Sequence, residues 1–204
     1  MVIKNVQEQS AEGLYTVTAF TGAAFFIRQE YLSSIKIDDI IENVEFLDEK
    51  EDELINAGFA VAAEYKAVDY LSRAEQSKFG LSRKLLLKGY QKNVIDMVLL
   101  YLESKNYLSD YRYAIAWLHS RRINHFEGRS RLLGELILRG IDRETVNKAL
   151  DNYFGEYDES AICKKAMENL VKKGKLNDEL ISYLVKAGFS YKMIRTVLSS
   201  ENDS

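Results

Sequence analysis

The segment Leu85–Leu99, LLLKGYQKNVIDMVL, decides the fold, because the chain writes the same phrase three times. The other copies are LILRGIDRETVNKAL at Leu136–Leu150 and LVKAGFSYKMIRTVL at Leu184–Leu198. Aligned on Gly89, Gly140 and Gly188, they lie 51 and 48 residues apart, the size of a repeating supersecondary unit. Leucine stands eight residues before each glycine (Leu81, Leu132, Leu180), four before it (Leu85, Leu136, Leu184) and ten after it (Leu99, Leu150, Leu198). Leucines four apart share one helix face, and a glycine just past the last turn can take the left-handed conformation without a Cβ clash. The three glycines are therefore predicted to be C′ residues, each closing one helix. The residue after each is large and apolar, Tyr90, Ile141 or Phe189, as a Schellman closure expects when it packs back on Leu85, Leu136 or Leu184. Gln91, Asp142 and Ser190 then fall at the N-cap of a following helix, with Gln91 the weak member of the set. Ile95, Val146 and Ile194 fall at N4, where the same bulky residue staples the second helix.

Working outward, a third helix precedes each pair. In AAEYKAVDYLSRAE the expected inward set is Ala63, Ala67, Tyr70, Leu71 and Ala74. In YRYAIAWLHSRR, capped by Ser109 or Asp110, it is Tyr113, Ala116, Trp117 and Ser120; in ESAICKKAMENLVKK, preceded by Asp158, it is Ile162, Ala166, Leu170 and Val171. A module of about 50 residues buries little by itself, so stacking of neighbours into an elongated, curved array is expected. The first 60 residues differ. LYTVTAF and AAFFIRQEYL, joined at Thr21 and Gly22, read as a β-hairpin with room for a further strand, and the acidic run IDDIIENVEFLDEKEDEL reads as one or two short helices. The fold class is mainly α. A small acidic α+β domain over residues 1–57 precedes three tandem three-helix repeats at 58–107, 108–157 and 158–204.

Of 204 residues, 47% are hydrophobic and 29% charged, the balance of an ordinary globular protein. With no signal-like N-terminus and no apolar run long enough for a span, the expectation is a cytoplasmic protein that does not enter membranes. The net charge of −3 hides an asymmetry. Residues 1–60 carry 4 Lys/Arg against 12 Asp/Glu, while the remainder carries 24 against 19. The densest basic window, Leu71–Lys92, holds Arg73, Lys78, Arg83, Lys84, Lys88 and Lys92 against Glu75 alone, a solvated face or a surface for a polyanion. Catalytic readings find little support. His119 and His125 are six apart and off one helical face, no Cys/His cluster suggests zinc, and no glycine-rich phosphate loop is present. The single cysteine, Cys163, reads as a packed apolar side chain. No metal, cofactor or catalytic residue is expected.

The second unit carries a resemblance. NYLSDYRYA at Asn106–Ala114, followed by GRSRLLGELILRGI at Gly128–Ile141, resembles the central signature of the RecX family, with matches at Tyr107, Leu108, Asp110, Arg112, Tyr113, Ala114, Gly128, Arg131, Leu132, Glu135, Leu136, Arg139, Gly140 and Ile141. Asn106 departs from a common glycine, Ser109 from an acidic or amide residue, and no proline follows Gly128; in the first unit Gly80 stands where glutamate is common. The resemblance covers about residues 60–200 and implies three tandem three-helix repeats. It also implies a partner: the RecA–single-stranded DNA filament, whose ATPase, strand-exchange and coprotease activities such proteins restrain.

Arg73, Lys84, Lys88, Arg121, Arg122, Arg129 and Arg139 are the candidates for contact with that filament or its DNA. Arg121, Arg122 and Arg129 stand out because they flank the loop INHFEG and the repeat pattern does not require them, whereas Arg112 and Arg131 are expected to bridge helices through Asp110 and Glu135. Tyr111, Tyr113 and Trp117 could stack on bases, although helical spacing favours core roles. The rival reading is a helix-turn-helix DNA binder. Against it, the helix after the first glycine, KNVIDMVLLYLESK, is apolar and acidic, which leaves only weak, salt-sensitive phosphate contact. Lacking a heptad seam, the chain is expected to be monomeric.

Overall fold

The computed structural model describes residues 1–9 and 13–202. Three strands, β1 (Ile3–Glu8), β2 (Tyr15–Ala19) and β3 (Ala24–Ile27), form an antiparallel sheet in the order β1-β2-β3. The expected hairpin is β2–β3, with Val17 opposite Phe25 and Gly22 at φ +88° in its turn; β1 is the further strand. Nine α-helices follow among the described residues: α1 (Asp48–Leu71), α2 (Lys78–Leu86), α3 (Lys92–Ser104), α4 (Asp110–Arg122), α5 (Arg129–Ile137), α6 (Arg143–Glu156), α7 (Glu159–Lys172), α8 (Asn177–Lys186) and α9 (Tyr191–Asn202). The chain divides into two units, Met1–Gln76 with Gly80–Leu108, and Ser77–Phe79 with the chain from Ser109 onward.

In the first unit Ile3, Val17 and Ile27 lie fully buried in a core shared with Leu54, Ala57, Ala60, Val61 and Ala63 of α1. The acidic run departs from its expected form. Only Ile37–Asp39 makes a short 3-10 turn, and the residues from Asp48 onward belong to the 24-residue α1, which passes unbroken through position 57. The reason is packing: Ala57, Ala60 and Val61 are all needed in the core. The helix approaches β3 so closely at Gly58 that a Cβ there would lie 2.9 Å from the Phe25 ring.

All three glycine closures form. Gly89, Gly140 and Gly188 hold φ of +89°, +80° and +96°. The amides of Tyr90, Ile141 and Phe189 donate to Leu85, Leu136 and Leu184 at 3.3, 3.4 and 3.2 Å, and each glycine amide donates to the carbonyl three residues back at 2.9 Å. Asn106 closes α3 in the same way, at φ +59°, with Tyr107 N–H bonded to Leu102 O at 2.8 Å; asparagine is the residue that best tolerates glycine's place there. Asp142 and Ser190 cap α6 and α9 through the amides of Thr145 and Met193, while Gln91 makes no side-chain cap. Ile95, Val146 and Ile194 are fully buried beneath the turns.

The inward faces of the first helices match expectation in part: Ala63 and Ala67 of α1 and Ala166 of α7 are buried, with Tyr70, Leu71, Ile162 and Leu170 packed against their cores. In α4 the buried residues are Ala114 and Leu118, while Ala116 and Ser120 are exposed. Tyr113 and Trp117 are half-buried at the edge of that core. In α7 the buried set is Cys163, Ala166 and Met167, with Val171 44% exposed, and in α1 Ala74 lies beyond the helix in an exposed turn.

The second unit repeats one joint between modules. Ser77, just before α2, donates its Oγ to Arg139 O at 3.1 Å, and the amide of Lys78, the first residue of α2, donates to Asp110 Oδ1 at 2.7 Å. Phe79 packs on Gly140 so tightly that no Cβ fits there. One module later, the amide of Gly128 donates to Ala187 O at 2.8 Å and that of Arg129 to Glu159 Oε1 at 2.8 Å. The Arg131 backbone occupies the space a Cβ on Gly188 would need. Each joint thus sets the N-terminus of a second helix on the closing glycine of the next module and on a carboxylate at the start of that module's first helix. An acid at a helix N-terminus is also favoured by the helix dipole.

Candidate partner-binding surface

Arg121 is one of the candidates for contact with the partner. Its guanidinium holds Glu127 at two points, Nε to Oε2 at 2.7 Å and Nη2 to Oε1 at 3.0 Å. Arg131 reaches the same carboxylate through Nε at 2.7 Å and donates to Lys186 O at 3.3 Å, so its partner is Glu127 rather than Glu135. Glu127 is only 9% exposed. Burial acts to raise its carboxyl, and hydrogen bonds from Arg121 and then Arg131 outweigh it, holding the group below the ordinary carboxylate range. Glu135 is taken by Arg139 at 2.8 Å.

The structure brings Arg121 and Arg139 together on one ring: their guanidinium carbons lie 5.5 and 4.5 Å from the centre of Trp117. Trp117 is therefore covered by cations. Arg122 is exposed and stacks at 4.1 Å over Tyr157. Arg129 pairs with Asp151 at 2.5 Å. In the first unit Arg73 pairs with Asp69 at 2.7 Å, and Lys84 bonds Gln76 at 2.7 Å and lies over Tyr70. Lys88 is exposed beside Gly89. α3 turns Val94, Ile95, Val98, Leu99 and Leu102 into the core, and so commits its apolar face to packing.

One concave surface was not foreseen. In the second unit, the loop Asn124–Glu127, α7 and the end of α8 enclose an open groove of about 320 Å³. His125, Arg131, Lys173 and Lys186 line it against the single acid Glu127, which its two arginines already balance. Phe126 and Tyr183, 36% and 42% exposed, supply ring faces, and Asn124 and Asn169 supply amides. Cations, amides and exposed rings together suit a polyanion whose bases or side chains can stack. The sequence signal was the basic run Lys172, Lys173 and Lys175, whose relation to Arg131 depends on the joint at Gly188. Among the described residues no group of three or more His, Cys, Asp and Glu side chains comes together to hold a metal, and no helix is long and apolar enough to cross a membrane.

Comparison with known proteins fits this architecture. Residues 63–102 match the family model described as the first three-helix domain of RecX, and residues 109–150 match its second three-helix domain. The regulatory protein RecX of Bacillus licheniformis is 31% identical over 192 residues, spanning 87% of this chain and 73% of that protein. Two crystal structures share the fold. One, of a regulatory protein RecX, gives a TM-score of 0.74 at 17% identity, covering 97% of this chain and 98% of that one. The other, RecX from Lactobacillus salivarius, gives 0.63 at 18% identity, covering 71% and 97%. The regulatory protein RecX of Treponema pallidum (strain Nichols) is 36% identical over 141 residues that span 86% of its length, and with both three-helix domains matched, this chain belongs to the RecX family.

Proposed function

We propose that the chain regulates the RecA recombinase by binding the RecA–single-stranded DNA filament and restraining its ATPase, strand-exchange and coprotease activities, without catalytic chemistry of its own. The family name supports a regulator. The observation that carries the reading is the basic, aromatic-edged groove of the second unit, an open surface suited to a filament rather than to a small molecule. Within this proposal Lys173, Lys186 and His125 make the anion contacts, while Arg121 and Arg131 fix the groove wall through Glu127. Arg122 and Arg139 extend the cationic surface over Tyr157 and Trp117, with Arg129 anchored at Asp151. Arg73, Lys84 and Lys88 are the further contacts in this reading on the first unit. We place the working boundaries of the modules at 58–107, 108–157 and 158–204, after an N-terminal domain of residues 1–57, in a cytoplasmic setting.

The test is the single-stranded-DNA-dependent ATPase of the cognate RecA, titrated with this protein at fixed salt. Inhibition below equimolar ratios is the expected result. No effect on the ATPase, with tight binding to a defined duplex instead, would favour the helix-turn-helix alternative.

A further inference from the structure

The joint that links the modules has two parts. One is a plug, the residues twelve to nine positions before each closing glycine; the other is a socket, made of the closing glycine, the carbonyl before it and the start of the module's first helix. Two plugs and two sockets are filled within the second unit: Ser77–Phe79 at Gly140, and Gly128–Arg131 at Gly188. The same count locates a third plug at Leu176–Glu179, before Gly188, and a third socket at Gly89.

Gly140 and Gly188 are tightly covered, whereas a Cβ on Gly89 would meet nothing within 4 Å. Beside Gly89 lies a cleft of about 350 Å³, lined by Phe59, Ala62, Lys88, Tyr90 and Val94 among others. Phe59 is 54% exposed at its rim. The third plug begins with Leu176, 59% exposed, at the N-cap of α8.

The third plug differs in charge from those of the filled joints. There the plugs are basic, with Lys78 in one and Arg129 and Arg131 in the other, and the sockets present Asp110 and Glu159. The third plug carries Asp178 and Glu179 in its first turn, the latter paired with Lys175. The third socket carries Lys88, and where the other sockets begin a helix with a carboxylate, α1 passes through with Phe59. An apolar, acidic plug is thus matched in chemistry by an apolar socket that carries Lys88, as the Gly140 socket carries Arg139, but lacks the carboxylate of Asp110 or Glu159.

We propose that the α8 N-terminus of one copy docks in the Gly89 cleft of a second copy, with Leu176 against Phe59 and Tyr90 and Asp178 against Lys88. The contact continues the interface already formed twice within the chain, and its surfaces differ on the two partners. It is therefore head-to-tail. Its acids also keep this plug out of sockets that present Asp110 or Glu159. One helix turn in one cleft is a small contact, of the class below about 1,200 Å² that associates weakly.

Sedimentation velocity on the full chain, from about 1 μM to about 1 mM, tests it. The wild type is expected to rise in mean mass with concentration. Phe59→Glu and Leu176→Asp, both at exposed positions, are each expected to remain monomeric. Mixed in equal amounts they are expected to form a 1:1 dimer and nothing larger, because each retains one intact surface. Lys88→Glu is expected to weaken association about tenfold, and adding Asp178→Lys to restore it. A wild type that stays monomeric over the whole range, a folded single variant that still associates, or a mixture that does not pair would overturn the proposal. Should either Phe59→Glu or Leu176→Asp fail to fold by circular dichroism, the charge-swap pair decides alone.

Discussion

Arg121 and Glu127 form a two-point pair across the loop Ile123–Phe126, at 2.7 and 3.0 Å, and Arg131 completes the carboxylate's shell at 2.7 Å. Glu127→Gln removes the charge and replaces one accepting oxygen by an NH2 that meets a guanidinium donor, so it is expected to destabilise the second unit by about 2 kcal/mol. The pH dependence has a definite sign. A carboxyl held below its unfolded value contributes stability that is fully present above about pH 4.3 and is lost as pH falls through the lower folded value. Urea midpoints measured between about pH 7 and pH 3 should therefore fall less steeply in Glu127→Gln than in the wild type. Parallel curves would show that the pair adds nothing.

Gly89 and Gly140 share the left-handed backbone but differ in what surrounds them, which separates two costs. Alanine at either pays about 1–2 kcal/mol for its Cβ in that region. At Gly140 alone it also overlaps Phe79, adding roughly 1–3 kcal/mol of overpacking. Denaturant unfolding should thus show Gly140→Ala clearly less stable than Gly89→Ala, and equal losses would contradict the joint at Phe79.

The pairings redirect the charge-reversal experiment on the RecA ATPase. Lys173→Glu with Lys186→Glu is expected to weaken inhibition at least about tenfold while leaving the melting temperature nearly unchanged, since both reversals lie on the groove's open wall. Arg122→Glu is expected to act in the same direction more weakly. Arg121→Glu would oppose the buried Glu127 carboxylate and is expected to lower the melting temperature as well, so loss of inhibition there would not by itself identify a contact. Undiminished inhibition by the folded Lys173/Lys186 variant would remove the groove from the binding surface.

Cys163 is fully buried, and burial, then the charge of Glu159, pushes its thiol up to about 11. At pH 8 the native protein should react with an aromatic disulfide reagent about two orders of magnitude more slowly than the urea-unfolded chain. Comparable rates would mean that α7 opens readily.

What the sequence revealed, it revealed through local chemistry. A leucine pair four apart, a glycine and a cap span one helix end and its turn, and their geometry needs no distant partner, so all three closures were legible. The inward face of α4 was not, because Trp117 and Tyr113 outweigh Ala114 and Leu118 in any count of apolar bulk, yet the Trp117 ring serves Arg121 and Arg139. The start of α1 was hidden because its acidic first turns resemble a solvated loop, while Gly58 and Phe25 show that tertiary contact fixes its course. The candidate arginines were legible as cations but not as paired ones. Arg129 finds its partners 22 and 30 residues away, at Asp151 and Glu159, and only the folded joint brings them near.

The joint at Gly140 has one more consequence. The middle module carries both halves, a socket built from Asp110 and Gly140 and a plug built from Gly128 and Arg129, and in both joints a backbone amide meets a carboxylate, Lys78 at Asp110 and Arg129 at Glu159. A duplicate of the middle module inserted after the original would meet, at each seam, a backbone amide, a carboxylate and a bare glycine of the kind already in place. Its chemistry is that of a modular part, so the number of modules can change by duplication or deletion without inventing a new contact.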